Sequence, residues 1–104
     1  MKTYNIVISE SAEADLREIA QYIAIERMEP RNARHLVSRI QEVVLELENL
    51  PYRYAFVRDE RLASKGIRMV SVNNYIVFYT VSEMNHSVAI VRVLYGKREW
   101  NQLL

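Results

Sequence analysis

Cysteine is absent from this 104-residue chain, and glycine, proline and histidine occur only twice each. Without cysteine there is neither a disulfide framework nor a thiolate metal site, which fits a reducing compartment. Two glycines cannot build a glycine-rich phosphate loop. The two histidines, His35 and His86, fall on different elements without ligand spacing, so each reads as a surface side chain. No nucleophile-elbow motif is present either. No metal and no cofactor is therefore expected. No apolar stretch reaches the ~20 residues a membrane span needs, and Met1-Lys2-Thr3-Tyr4 leads straight into an alternating segment, with no signal-peptide hydrophobic run. A cytoplasmic protein with no membrane contact is the expectation.

What remains is globular in composition: half of the residues are hydrophobic, and 104 residues suit one domain spanning 1–104. The net charge of +1 conceals an asymmetry. Residues 1–50 hold six Lys/Arg against nine Asp/Glu, net −3; residues 51–104 hold eight against four, net +4. A basic half favours acidic partners, either nucleic acid or an acidic protein segment.

Periodicity organises the chain. Tyr4 to Ile8 alternates as a strand. Ser9 reads as an N-cap, with Glu10 and Glu13 placed in the first turn where the helix dipole favours negative charge. Ala12, Leu16, Ile19, Ala20 and Ile23 then form one helical stripe, which Met28-Glu29-Pro30 interrupts. Pro30 opens a second helix, whose stripe of Ala33, Leu36, Val37, Ile40, Val43, Val44 and Leu47 ends at Leu50-Pro51. The short connection makes these two helices an antiparallel hairpin. Residues 51–66 lack a period and read as an extended connection, with a turn or cap at Gly66. Strands are predicted over residues 67–72, 75–81 and 88–95. The fold class is thus α+β: an N-terminal strand, then a helical hairpin packed on a mainly antiparallel sheet of three to four strands.

The last two strands are apolar on both faces, whereas a sheet with one wet face should alternate. A hairpin covers only one face. Either Trp100, Leu103 and Leu104 with the 51–66 connection cover the other, or a second copy or partner chain does. The densest polar feature is Tyr95-Gly96-Lys97-Arg98-Glu99-Trp100, directly after a strand. Cations beside aromatics can hold a phosphate and stack a base, or can simply be solvated beside a core tryptophan. Arg68 and Arg92, inside strands, either pair with a carboxylate or snorkel.

Four passages together resemble the RelE/ParE toxin superfamily of bacterial type II toxin–antitoxin systems, and more closely its ParE-like branch: Ala12-Glu13-Ala14-Asp15-Leu16 with Ile19 and Tyr22-Ile23; Pro30 with Ala33 and the stripe ending at Leu50-Pro51; Gly66-Ile67-Arg68 with Asn74 to Tyr79; and Val91 to Trp100 with Leu103-Leu104. The resemblance implies a small cytosolic toxin neutralised by a cognate antitoxin, which wraps an acidic amphipathic segment around it and through which alone the complex contacts DNA. It implies antitoxin contacts along the later strands, at Tyr75, Val77, Tyr79 and Arg92, and target contacts at Lys97, Arg98 and Trp100. In the ParE-like branch the target is DNA gyrase, met by protein–protein contact. In the RelE-like alternative the protein is a ribosome-dependent mRNA endoribonuclease, with Arg98, Arg68, Glu99 and Tyr95 as the catalytic set. Ile76 stands where that branch carries a strand arginine. A non-toxic protein-binding domain is the third reading.

Overall fold

The computed structural model describes residues 3–98, 100 and 102–104. Strand β1 (Asn5–Ile8) leads into helix α1 (Glu10–Gln21), a π-helical turn (Tyr22–Glu26), helix α2 (Pro30–Glu46), a short helix α3 (Glu60–Ala63), and strands β2 (Arg68–Val72), β3 (Tyr75–Ser82) and β4 (Ser87–Tyr95). The sheet order is β1-β4-β3-β2, with β1 parallel to β4 and the other neighbours antiparallel.

Local chemistry explains where the elements start and stop. The Ser9 hydroxyl accepts from Ala12 N–H at 3.0 Å and donates to the Val91 carbonyl at 2.8 Å, so one side chain caps α1 and ties it to β4. The hairpin tip is less regular. Arg27 N–H reaches the Tyr22 carbonyl and Glu29 N–H the Ile23 carbonyl, closing the π-turn through Met28 at φ 54°. Glu29 provides no side-chain cap for α2; Pro30 stands at its first turn instead. The 51–66 connection is more ordered than its sequence suggests. Asp59 accepts from Leu62 N–H at 3.1 Å and caps α3, which inserts the fully buried Leu62 into the interior. Gly66 turns the chain at φ 82°.

Both faces of the sheet are packed. Against one face lies the helical hairpin, with Ala12, Leu36, Ile40 and Val44 over Val77, Tyr79, Val88, Ile90 and Val93. Against the other, Ile76, Phe78 and Leu94 meet Val57, Leu62 and Ile67 from the connection, and Trp100, Leu103 and Leu104 from the tail. The Phe78 and Trp100 rings lie 5.1 Å apart. The apolar second face is thus closed by the chain's own segments, and its greasiness alone calls for no partner. Phe78 pairs with Arg92 while Tyr79 pairs with Ile90, so Val91 is an extra residue in β4, a bulge that shifts the inward set from 88 and 90 to 93.

Met28 holds a left-handed backbone conformation that disfavours any side chain with a Cβ. Met28→Gly is expected to raise stability by about 1 kcal/mol, which for a domain this size is ~4–8 °C in Tm. A thermal melt by circular dichroism checks it; an unchanged or lower Tm would show that Met28 is not strained.

Candidate functional site

Asp15 lies on the buried stripe of α1 and is only 6% exposed. Its carboxylate accepts from Arg92 Nε and Nη2 at 2.7 Å each and from the Val93 backbone N–H at 2.9 Å. The arginine's remaining nitrogen points to the Leu103 carbonyl at 3.4 Å. A bidentate guanidinium–carboxylate pair with its lone pairs satisfied is the arrangement that makes a buried charge tolerable. Hydrogen bonding to Asp15 raises the Arg92 pKa further above its ordinary value, so the guanidinium stays charged at any ordinary pH.

Asp15, together with Val93 and Leu94, lines the floor of a groove of about 420 Å³ at the end of the sheet where β4 terminates. Glu18, Ile19 and Tyr22 from α1 and the π-turn form one wall, and Tyr75, Tyr95 and Arg98 the other, with Arg27 at the tip. Tyr75 and Tyr95 meet edge-on at 5.5 Å. Burial first, then the neighbouring Tyr22 and Tyr95, raise the Tyr75 pKa, and the charge of Arg27 partly opposes this. The groove continues past Arg27 and Tyr75 to Asn73, Asn74 and His35. Gly96 closes against the Asn74 carbonyl, 3.2 Å from where a Cβ would stand, which fixes the turn that presents Lys97 and Arg98. The arrangement offers partly exposed aromatic rings flanked by the Arg98 guanidinium, the Glu18 carboxylate and Arg27, which is ion-paired with Glu29 at 3.6 Å. That chemistry suits stacking and apolar contact with mixed charge at the rim.

The residues expected from sequence divide sharply. Lys97, Arg98 and Tyr95 are exposed and together at this end, and Tyr75 is half-buried beside them. Val77 and Tyr79, expected as antitoxin contacts, lie inside the hairpin-side core with no exposed surface in the isolated chain; the Tyr79 hydroxyl donates to the Pro51 carbonyl at 2.9 Å. Arg92 is committed to Asp15. Trp100 packs on Phe78 in the second core, so its ring is a seal and not a free stacking platform. Arg68 donates to the Tyr54 carbonyl at 2.6 Å and lies 4.0 Å from the Phe56 ring and 5.1 Å from that of Tyr52. It pairs with Tyr79 in the sheet, whereas Tyr95 pairs with Tyr75, so Arg68 is four residues along and two strands away from Tyr95. That is about 13 Å along the strands and about 10 Å across them. Glu99 lies outside the described residues. Sequence reading overlooked Tyr22 and Arg27, which no motif marks, and the role of Asp15. For Asp15 a signal existed: it follows Ala12 by three residues and precedes Ile19 by four, an acid on an apolar stripe.

A second polar group occupies the opposite end of the sheet. The Tyr4 and Tyr52 hydroxyls both donate to Glu83, and Tyr4 stacks on His86 at 3.9 Å. These hydrogen bonds hold the Glu83 carboxyl below its ordinary pKa and push both phenols up. Among the described residues no group of three or more His, Cys, Asp or Glu is placed to hold a metal ion, and no helix is long and apolar enough to cross a membrane.

Comparison with known proteins agrees with this geometry. The family model described as the ParE toxin of the type II toxin–antitoxin system parDE matches residues 6–100. The chain belongs to the ParE toxin family. Among solved structures, this ParE-family chain is similar to one in the chromosomal ParDE toxin–antitoxin system from P. aeruginosa, at 21% identity and a TM-score of 0.69, covering 89% of this chain and 96% of that one. It is also similar to one in the RelBE2 toxin–antitoxin complex from Mycobacterium tuberculosis, at 20% identity and a TM-score of 0.64, covering 89% and 98%. No curated protein sequence matches it. Identities this low establish the shared fold, an α+β sheet with a helical hairpin, and leave the ParE-family chain's target to its own residues.

Tyr4, Tyr52, Tyr75 and Tyr79 all titrate above the ordinary tyrosine value of 10.0. A pKa raised by folding contributes stability in full below the unfolded value and loses it as pH climbs through the folded one. Stability of the toxin should therefore fall once pH passes about 10. Phenolate absorbance measured alongside denaturant midpoints tests this; all seven tyrosines ionising together near the ordinary value, with no loss of stability, would contradict it.

Proposed function

We propose that this ParE-family chain is a growth-inhibiting toxin that acts in the cytoplasm on DNA gyrase by protein–protein contact and is neutralised by a cognate antitoxin. The observation that carries this over messenger RNA cleavage is the separation of Arg68 from Arg98. A ribonuclease needs cationic and acid–base groups converging within hydrogen-bond reach of one phosphate and one ribose hydroxyl. Here Arg98 is exposed at the end of the sheet, while Arg68 is spent on the Tyr54 carbonyl and two rings near the other end. Ile76, where a nuclease of this superfamily carries an arginine, is an apolar member of the second core. An exposed Arg98 and Lys97 beside half-exposed tyrosines is what a protein contact surface requires, because Tyr and Arg supply much of the binding energy at such interfaces.

The neutralising partner is supported by the solved relatives, both of which come from toxin–antitoxin systems. Of the residues expected to meet it, Tyr75 and, in part, Arg92 keep surface to offer, whereas Val77 and Tyr79 do not. DNA contact by such a complex runs through the antitoxin.

Purified toxin is expected to inhibit gyrase supercoiling of plasmid DNA, and induced cells to keep their transcripts intact. Arg98→Ala should weaken inhibition at least tenfold while shifting stability by less than ~1 kcal/mol, because an exposed charge contributes little to folding. No inhibition at micromolar toxin, or codon-linked message cuts by primer extension, would overturn the gyrase reading.

A further inference from the structure

The two helices of the hairpin arrange their charges in opposite ways. Helix α1 begins with Glu10 and Glu13, acids where the helix dipole favours them. Helix α2 has no acid in its first turn and no base in its last. It carries Arg31 and Arg34 towards its positive end and Glu46 at its negative end. Arg31 thus opposes the dipole, and Arg31 and Arg34, three residues apart, repel each other. No carboxylate relieves either one. Arg27, Arg39, Arg53 and Arg92 each reach an acidic partner, and the neighbouring Glu29 is held by Arg27. Among the described residues Arg31 and Arg34 make no ion pair. Both lie with His35 and Ser38 on the exposed face of α2, at the i, i+3, i+4 and i+7 spacing of one stripe. These four residues alone line a shallow recess of about 220 Å³. The fold makes no use of this row.

We propose that the row Arg31, Arg34, His35 and Ser38 is a contact for the phosphate backbone of duplex DNA, made by the free toxin itself. Guanidinium, imidazole and hydroxyl groups on one stripe are the side chains that hold phosphates without reading sequence. The row is about 10 Å long, which matches the rise of about three phosphates on one strand. Its side chains form the site and not the helix end, whose first position is Pro30, without an N–H. Two observations choose duplex DNA over other acidic partners. A protein interface needs an apolar centre. No exposed large apolar side chain lies between residues 29 and 44, and the adjoining groove is lined by Ala20, Ala24, Ala33 and Val37. A single strand is held in a groove furnished with rings on which its bases stack. The row stands on the outer face of a helix, and apart from the imidazole of His35 no ring lines its recess. The binding is independent of the gyrase reading. Its role, keeping the toxin on the DNA that gyrase holds, rests on that reading.

Fluorescence anisotropy of a short labelled duplex, titrated with purified toxin in the absence of antitoxin, tests the contact. The row variant carries Arg31→Gln and Arg34→Gln. It is expected to bind the duplex at least fivefold more weakly at low salt, with a slope of log affinity against log salt shallower by about 2, the value for two lost phosphate contacts. Because it removes two cations that repel each other at the wrong end of the dipole, its Tm should equal or exceed that of wild type. Arg31→Lys with Arg34→Lys keeps the charge and should keep most of the binding. Arg58→Gln with Lys65→Gln is the control; it removes the same charge from exposed positions on the connection that covers the far face of the sheet, and should change affinity less than twofold. A wild-type chain that does not bind duplex, a row variant that binds like wild type, or a control that loses as much as the row variant would each overturn the contact. So would tighter binding of single-stranded RNA of the same length. In the supercoiling assay the row variant should need at least threefold more toxin for half inhibition; equal inhibition after loss of duplex binding would overturn the role. Duplex binding through the row by a wild-type chain that does not inhibit gyrase would keep the contact and discard gyrase. Gyrase inhibition by a wild-type chain whose duplex affinity the row variant matches would do the reverse.

Discussion

One buried ion pair joins the three parts of this fold that local sequence alone cannot bring together. Asp15 belongs to the first helix, Arg92 to the last strand, and the Leu103 carbonyl to the tail beyond it. The pair carries α1 over β4, and because the same carboxylate also takes the Val93 N–H, it fixes the height of the helix along the strand as well as its side. Removing one partner would leave the other charged and desolvated, a loss of about 3–5 kcal/mol. That is a large share of the roughly 5–15 kcal/mol by which a domain of this kind is stable. The Val91 bulge lies immediately before Arg92, which makes the irregularity in the strand part of the same device.

Two consequences follow for function. With α1 held at that height, its far end and the π-turn stand beside the ends of β3 and β4, and the space between them becomes the tyrosine-lined groove. With the tail drawn back along the sheet, Trp100 and the two terminal leucines seal the second face against Phe78. The molecule therefore packs its central strands internally, while Tyr22, Ile25 and Met28 stay exposed at the hairpin tip.

The helical hairpin and the three later strands were legible because their apolar periods of 3.6 and 2 are long and uninterrupted, and because Ser9, Pro30 and Gly66 have one local use each. The family was legible from the Asn74–Tyr79 and Val91–Trp100 passages. The accessible surface was not. Residues 75, 77 and 79 alternate to the same face as a matter of period, but whether that face meets helices or solvent depends on packing across the sheet. Val77 and Tyr79 went fully under the hairpin, while Tyr75, at the start of β3, packs against the same core only in part. The 51–66 connection hid a helix too short to show a period, capped by Asp59 amid residues that read as solvated loop. The strained tip was likewise silent, since no residue type at Met28 announces a positive φ.

The dependence of the whole arrangement on one ion pair can be measured by a double-mutant cycle in denaturant, using Asp15→Ala, Arg92→Ala and the double variant. The predicted coupling between the two side chains is about 3 kcal/mol, with the double variant scarcely less stable than either single one. A coupling below ~0.5 kcal/mol, with the two losses simply adding, would contradict this: helix, strand and tail would then be held together by apolar packing alone, and the groove would owe nothing to the pair.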